Sequence, residues 1–340
     1  MMTVRELAAG LGLGKSTVAD ALRGKAGVSP RTRARVMQRA RELGYEANAL
    51  TSALLRQVRA QASPCVRANV ALLLDVPESR RYVSLELVSR GFRDRARDCG
   101  LVVDELNTRG RTSKEVMRIL VSRGIEGVTI LPLQKPMGHR TLDWSKFAAV
   151  SFGYSMVLPR LHRVAHNSVQ GIRTAFRMCR KKGFRRVGLA LEQWSHLRSN
   201  GLWMAGFLEI QRLLPKAEQV RPLLLPDGKF TADRIARWIS RERPDAAIIH
   251  GRGPDETIPE VFLNHAKPAL PVVLDNWAGS PYAGIDQEYE RMGTALADQL
   301  MRQLVQNERG IPAHPNLILL EGTWREHPLL DRARAFQTKR

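Results

Sequence analysis

The feature that most restricts the fold is an alternation that begins at Asn69. Short apolar runs, NVALLLDV (69–76), LVVDEL (101–106), GVTILPL (127–133) and FAAVSFG (147–153), are separated by helical patterns at 84–99 and 112–124. A second series, RVGLAL (186–191), VRPLLLP (220–226), DAAIIH (245–250) and PVVLD (271–275), interleaves with helical patterns at 168–183, 198–213 and 231–243. A strand that is apolar on both faces must be covered on both, and the helices between such strands supply the cover. The pattern therefore predicts an α/β chain with two doubly wound parallel-sheet lobes, and a ligand at the carboxyl ends of the strands. No G-x-G-x-x-G follows the first strand, which argues against a dinucleotide enzyme.

The first sixty residues are of another kind. Residues 10–24 read GLGLGKSTVADALRG, and Gly14-Lys15-Ser16 resembles the end of a nucleotide phosphate loop. That loop needs a glycine where Ala9 stands and a strand before it. Instead Thr3 and Glu6 have capping-box spacing, and Val4, Leu7, Ala8 and Leu11 recur at helical spacing. Three short helices follow from the spacing: Val4 to Leu11, Lys15 to Leu22 after a turn in the glycines, and a third from Ser29-Pro30 to Gly44. Ser29 is a good N-cap, with proline at the first helical position. Val36, Met37, Ala40 and Leu43 form the third helix's apolar face. Helix, short turn, helix and a supporting helix is the helix-turn-helix layout, whose second helix enters the major groove of DNA. Lys15, Ser16 and Thr17 stand at the end of that helix that reaches base edges, where lysine donates to guanine and hydroxyls donate or accept.

Charge agrees without deciding. The net charge is +21, and residues 1–61 hold 11 Lys/Arg against 4 Asp/Glu, a net of +7. Such a balance favours polyanionic partners, although the body is basic as well. Cys65, Cys99 and Cys179 lie far apart with no metal spacing, as expected of a reducing cytosol. The first residues have no long apolar core, so no signal peptide is expected, and no apolar run approaches a membrane span.

The segment TVRELAAGLGLGKSTVADALRGKAGVSPRTRARVMQRARELGYEANALTSALLR resembles the DNA-binding head of the lactose/galactose repressor (LacI/GalR) family. The resemblance rests on the T-V of the second helix, the VS-x-x-TR opening of the third, the ELGY ending and Asn48. It implies a cytoplasmic, nucleoid-associated homodimer on a pseudo-palindromic double-stranded operator. Arg5, Ser29, Thr32 and Arg33 are phosphate candidates, and Arg23 and Asp20 belong to the reading surface. The sequence departs from the family at Gly14, usually Ser; Asp20, usually Arg; Arg23, usually Asn; and Ala47, usually Pro. A carboxylate at Asp20 cannot donate to guanine, so a half-site different from the family's usual one is expected.

After Tyr45, Asn48 can cap a helix of about two turns, Ala49 to Arg56, too short to hold alone in water. The resemblance implies that it folds on DNA, with Leu54 as the apolar wedge that unstacks a base step. The expected division is a head at 1–46, a hinge and linker at 47–67, a core at 68–330 and a basic tail at 331–340.

The body is similar to the family's periplasmic-binding-protein-like core, most clearly in GFRRVGLAL, PDAAIIHGR, VVLDN and IDQEYERMGTALADQL. By that analogy lobe one is about 68–162 with 287–313, and lobe two about 163–286 with 314–330. Asp275 matches an aspartate that accepts from ligand hydroxyls in sugar-binding members. Asn167 follows His166 where Asp-Asn is common, Trp203 replaces a ligand-gripping Arg four residues before Phe207, and Arg252 replaces Asn. Two readings stand. Either the effector differs, with Trp194, Trp203 and Trp277 stacking on a ring such as a sugar and Arg252 meeting an anion such as a sugar phosphate, or the pocket is degenerate and answers to no small molecule. The histidines form no metal spacing, there is no G-x-S-x-G elbow, and no cofactor, catalytic set or membrane partner is expected. A solute-binding protein with a helical leader is the rival class.

Overall fold

The computed structural model describes residues 4–22, 28–42, 68–77, 83–133, 135, 138–226, 230–250, 262–263 and 269–330. Helices α1 (Val4–Leu11), α2 (Lys15–Leu22) and α3 (Pro30–Glu42) form the head. Leu7, Ala8 and Leu11 of α1, Val18 and Ala21 of α2 and Val36 and Ala40 of α3 are its buried core. These are the helical-spacing positions of the sequence, with one correction. Met37 is exposed, because the inward stripe of α3 runs through Val36 and Ala40, one position to its side. Arg35 donates to the Leu11 carbonyl at 3.1 Å and so joins α3 to the free end of α1. A helix precedes the glycines where a phosphate loop would need a strand.

The core holds two six-stranded sheets. The first runs β2 (Leu101–Asn107), β1 (Ala68–Leu74), β3 (Ile125–Ile130), β5 (Ala148–Phe152), β7 (His162–His166), β13 (Leu317–Leu320), all parallel. The second runs β9 (Leu223–Leu225), β8 (Val187–Glu192), β10 (Ala246–His250), β11 (Leu270–Asn276), β12 (Gly284–Asp286), with β14 (Thr323–Arg325) antiparallel at its edge. A small two-stranded pair, β4 (Gly138–His139) and β6 (Met156–Leu158), stands apart. Each sheet has an apolar core on both faces, as its apolar central strands demand.

The division into lobes differs from the expected boundaries at two places. Residues 163–166 and 317–320, assigned by analogy to lobe two, are the strands β7 and β13 of the first sheet, paired Arg163 to Leu317 through His166 to Leu320. Hydrogen bonding between strands 154 residues apart decides this, and no local pattern announces it. The chain thus passes between lobes at 166–168, 286–289 and 320–323. These passages are tied together: the Asn167 amide donates to the Leu320 carbonyl at 2.8 Å, and the Thr323 hydroxyl donates to Glu288 at 2.7 Å.

The helix Tyr289–Gln306 returns to the first sheet and crosses the helix Val83–Asp98 with backbones in contact. A Cβ on Gly293 would lie 2.1 Å from the Val88 carbonyl oxygen, and one on Gly91 equally close to that of Glu290. Only glycine permits such an approach. The expected helix at 198–213 is Leu202–Arg212, and a further helix, Gln193–Arg198, precedes it across Asn200 and Gly201 in left-handed conformation. Cys179 is buried, whereas Cys99 is half-buried rather than enclosed. Among the described residues no helix is long and apolar enough to cross a membrane.

Candidate functional site

Two surfaces hold residues that the sequence singles out. On the head, Ser16 is exposed and Thr17 and Asp20 half-exposed on α2. Ser29 Oγ accepts from the Thr32 amide at 3.2 Å and lies 2.8 Å from the Thr32 hydroxyl, so both side chains close the N-terminus of α3. The positive dipole of that end favours an anion, and the half-exposed Arg33 stands one turn into the helix. The side chains of Lys15 and Arg5, and all of Arg23, Asn48 and Leu54, lie outside the described residues.

In the core, a cavity of about 160 Å³ opens between the lobes at the carboxyl ends of their strands. That is many times the ~10–15 Å³ that one water needs. Lobe one contributes Val76 after β1, Leu133 after β3, Phe152, Tyr154 and Ser155 after β5, and His166 at the end of β7. Lobe two contributes Trp194, Ser195 and Arg198 after β8, Trp203, His250 at the end of β10, and Asp275 on β11. Gln287 and Tyr289 come from the crossing between the lobes.

Hydrogen bonds reach across the cleft. The Tyr289 hydroxyl donates to Asp275 at 2.7 Å, and the Arg198 guanidinium donates to the Leu133 carbonyl. Arg198 also lies over the Trp194 ring, 4.4 Å from its centre, in cation–π geometry. His166 stands edge-on to Tyr289 at 5.4 Å, and His250 lies 6.1 Å from Trp203.

Burial sets the protonation states. His166 is lowered to about 3, by burial first and by His250 second, so it is neutral at pH 7. Burial also lowers His250, against the opposing pull of Asp275. Burial raises the Asp275 carboxyl, while His250 and the Tyr289 hydrogen bond act the other way. Tyr289 is pushed well above 10 by burial and by Asp275, so it keeps its proton as a donor.

Among the described residues, three side chains of the cavity wall hold four buried polar atoms without a hydrogen-bond partner. They are both ring nitrogens of His166, Nδ1 of His250 and Oγ of Ser195. A buried polar atom without a partner costs about 1–3 kcal/mol, and several around one cavity mark a place where a ligand can supply the partners. Among the described residues no cluster of His, Cys, Asp or Glu could hold a metal ion.

Of the residues expected at the effector site, the fold brings His166, Trp203, Asp275 and Trp194 to the cavity. Trp203 is 3 % exposed and belongs to the hydrophobic core of lobe two. Asn167 is not in the lining. Its side chain accepts from the Gln170 amide at 3.2 Å and caps the helix Ser168–Lys181. Trp277 is also outside, its amide bonded to Asn276 Oδ1 on the strand end beyond the cleft. Arg252 lies outside the described residues. Sequence reasoning missed Arg198, His250 and Tyr289. The quoted segments PDAAIIHGR and IDQEYERMGTALADQL contain the last two, and the rule that ligands meet strand ends was the available signal for His250.

No family model matches the sequence, and no curated protein matches it either. Solved structures do. The lac repressor dimer bound to operator and the anti-inducer ONPF aligns over 96 % of this chain and 98 % of its own, with TM-score 0.55 and 16 % identity. The transcriptional regulator CelR in complex with cellobiose aligns over 96 % and 99 %, with TM-score 0.52 and 17 % identity. A putative ribose operon repressor from Burkholderia thailandensis aligns over 77 % and 100 %, with TM-score 0.56 and 17 % identity. The fold of a small helical head with a two-lobed α/β core is therefore shared with the first two structures, and the third aligns over a smaller part of the chain.

Proposed function

We propose that this chain is a DNA-binding transcription regulator of the LacI/GalR family, acting as a homodimer on a pseudo-palindromic operator and answering to a small polyhydroxy molecule in its cleft. One observation carries the reading. The chain matches a repressor bound to its operator across head and core together, and the α2 end that would face the bases presents the exposed Ser16 and the half-exposed Thr17. Lys15, Ser16 and Thr17 read bases, and Asp20 shifts specificity by accepting rather than donating. Arg5, Ser29, Thr32 and Arg33 hold phosphate, which gives register without sequence. Arg23 borders the reading surface, and Asn48 and Leu54 form a hinge that folds on the duplex.

The effector reading rests on the unpaired groups of His166, His250 and Ser195. Neutral imidazoles and a hydroxyl suit a ligand rich in hydroxyl groups, while a pocket without a ligand would be expected to close on apolar side chains. Asp275 already accepts from Tyr289 across the cleft, so a ligand hydroxyl competes with Tyr289 for it. That competition ties occupancy to the angle between lobes, and so to the spacing of the hinges in the dimer, as a population shift. Arg252 stands as a further candidate, for an anionic group.

Selection of bound fragments from random duplex tests the DNA half. Recovery of a two-fold symmetric site, altered by Asp20→Arg, supports it, and absence of any enriched sequence refutes it. A thermal-shift screen of sugars and sugar phosphates tests the effector half. A ligand at 100 times its dissociation constant adds about 2.7 kcal/mol, and that gain is expected to vanish in Asp275→Ala.

A further inference from the structure

The pole of lobe two opposite the cleft is built from three segments, 180–186, 212–221 and 241–245. They meet where β8 and β10 begin. Arg186 donates to the carbonyls of Ala217, Glu242 and Arg243, and Asp245 accepts from the amides of Arg185 and Arg186 at 2.7 and 3.0 Å. These 22 residues hold ten Lys/Arg against three Asp/Glu, a net of +7. The chain outside residues 1–61 carries an excess of 14 positive charges, so half of it sits in this one patch. A basic composition spread evenly over the surface would not produce that.

The charges are also sorted by depth. Glu242 is 7 % exposed, while its partners Arg221 and Arg241, at 3.3 and 2.9 Å, are 83 % and 63 % exposed. Glu218 is 19 % exposed beneath Arg180 and Arg185, the latter 71 % exposed. The carboxylates lie under the cations and hold them outward. Lys181, Arg212, Lys216 and Arg243 are exposed around them. Seven of the ten cations are arginines, whose planar forks match phosphate oxygens in pairs.

We infer that this pole is a second, sequence-independent binding surface for the phosphate backbone of duplex DNA. The head joins the core before β1, whose carboxyl end leads into the cleft at Val76. The head is therefore tethered at the outer end of lobe one, and the basic patch lies at the outer end of lobe two. Seven residues of β1 and five of β10, at ~3.3 Å each, put on the order of 40 Å of strand between the two ends. That geometry lets one molecule hold two separate duplex segments. The inference takes from the proposed function only that the head binds DNA.

The test uses four forms of the full chain. They are the unaltered protein, a head variant Ser16→Glu/Thr17→Glu, a pole variant Lys181→Glu/Arg212→Glu/Lys216→Glu, and their combination. None of the three pole positions belongs to the ion pairs named above, and an unchanged melting temperature checks the fold. Binding of a labelled random-sequence duplex is measured from 50 to 200 mM salt. The head variant is expected to retain salt-dependent binding, and the combined variant to lower the log–log salt slope by about 2.7, for three lost phosphate contacts. Protein seated on an immobilised duplex is expected to capture a second, labelled duplex, and the pole variant is expected to lose that capture. The inference falls if the head variant does not bind at 50 mM salt, if the pole substitutions leave the slope unchanged, or if phosphatidylserine vesicles outcompete duplex for the head variant. If the head variant binds as well as the unaltered protein and only the pole substitutions matter, the pole stands and the head reading falls instead.

Discussion

Acidification from pH 7 to pH 5 is expected to weaken the core by about 2 kcal/mol through His166 alone. In the fold this imidazole is lowered to about 3 from an ordinary value of 6.5. Between those two values the unfolded chain binds the proton and the folded chain does not. Stability therefore rises with pH across that window, is fully present above 6.5, and drains away as pH falls toward 3. From 6.5 down to pH 5 is 1.5 units at 1.36 kcal/mol each, or about 2 kcal/mol. His250 adds to the loss in the same direction. Asp275 acts oppositely, because its raised carboxyl is relieved by protonation at the acid end of the window. All six tryptophans lie in the core region, so urea unfolding followed by tryptophan fluorescence reports on the core rather than the head. The decisive quantity is a difference between proteins. His166→Gln removes the titration and is expected to shrink the loss between pH 7 and pH 5 by about 2 kcal/mol. An equal pH-dependence in the variant and the unaltered protein would refute the picture of a neutral, desolvated imidazole at the cleft.

Tyr289→Phe leaves the Asp275 carboxylate without its 2.7 Å donor and is expected to destabilise the core by about 1–3 kcal/mol, read as a lower urea midpoint, while strengthening binding of a polyhydroxy ligand that no longer competes with the phenol. Gly293→Ala drives a methyl into the Val88 carbonyl, and although alanine favours helix by ~1 kcal/mol, the forced separation of two helices is expected to win, for a net loss of about 1–3 kcal/mol in the same assay. Ser29→Ala removes the N-cap of α3 at a cost of about 1 kcal/mol, visible as a lower melting temperature of the head by circular dichroism with the core transition unmoved.

The head was legible in the sequence because its helices are short and each carries its own signals. Leu7, Leu11, Val18, Val36 and Ala40 repeat at helical spacing, and Ser29 before Pro30 marks a start, all within a few residues of one another. The apolar strands were legible for the same reason: NVALLLDV and DAAIIH can be stable only when covered on both faces. Strands such as His162–His166 gave no such signal, since His162, Arg163 and His166 break the apolar run while their neighbours pair with β5 and β13. Leu317–Leu320 is apolar, yet nothing local says which sheet it joins. The site was divided likewise. Asp275, His166 and Trp203 came from resemblance, but the linked trio of His250, Asp275 and Tyr289 is assembled from three segments that only folding brings together. Asn167, polar and next to His166, was indistinguishable in sequence from a ligand contact until the helix it caps was seen.

The sequence by itself determined the order of elements and the contrast between a basic trihelical head and a two-series α/β core, because helical spacing and strand burial are written in residues close along the chain. The tertiary structure decided lobe membership, the three side chains with unpaired polar atoms around one cavity, and the pairing of arginines with more deeply set carboxylates at the far pole. Each of these depends on contacts between distant segments, whose free energy is set by burial and hydrogen bonding in space rather than by any local pattern.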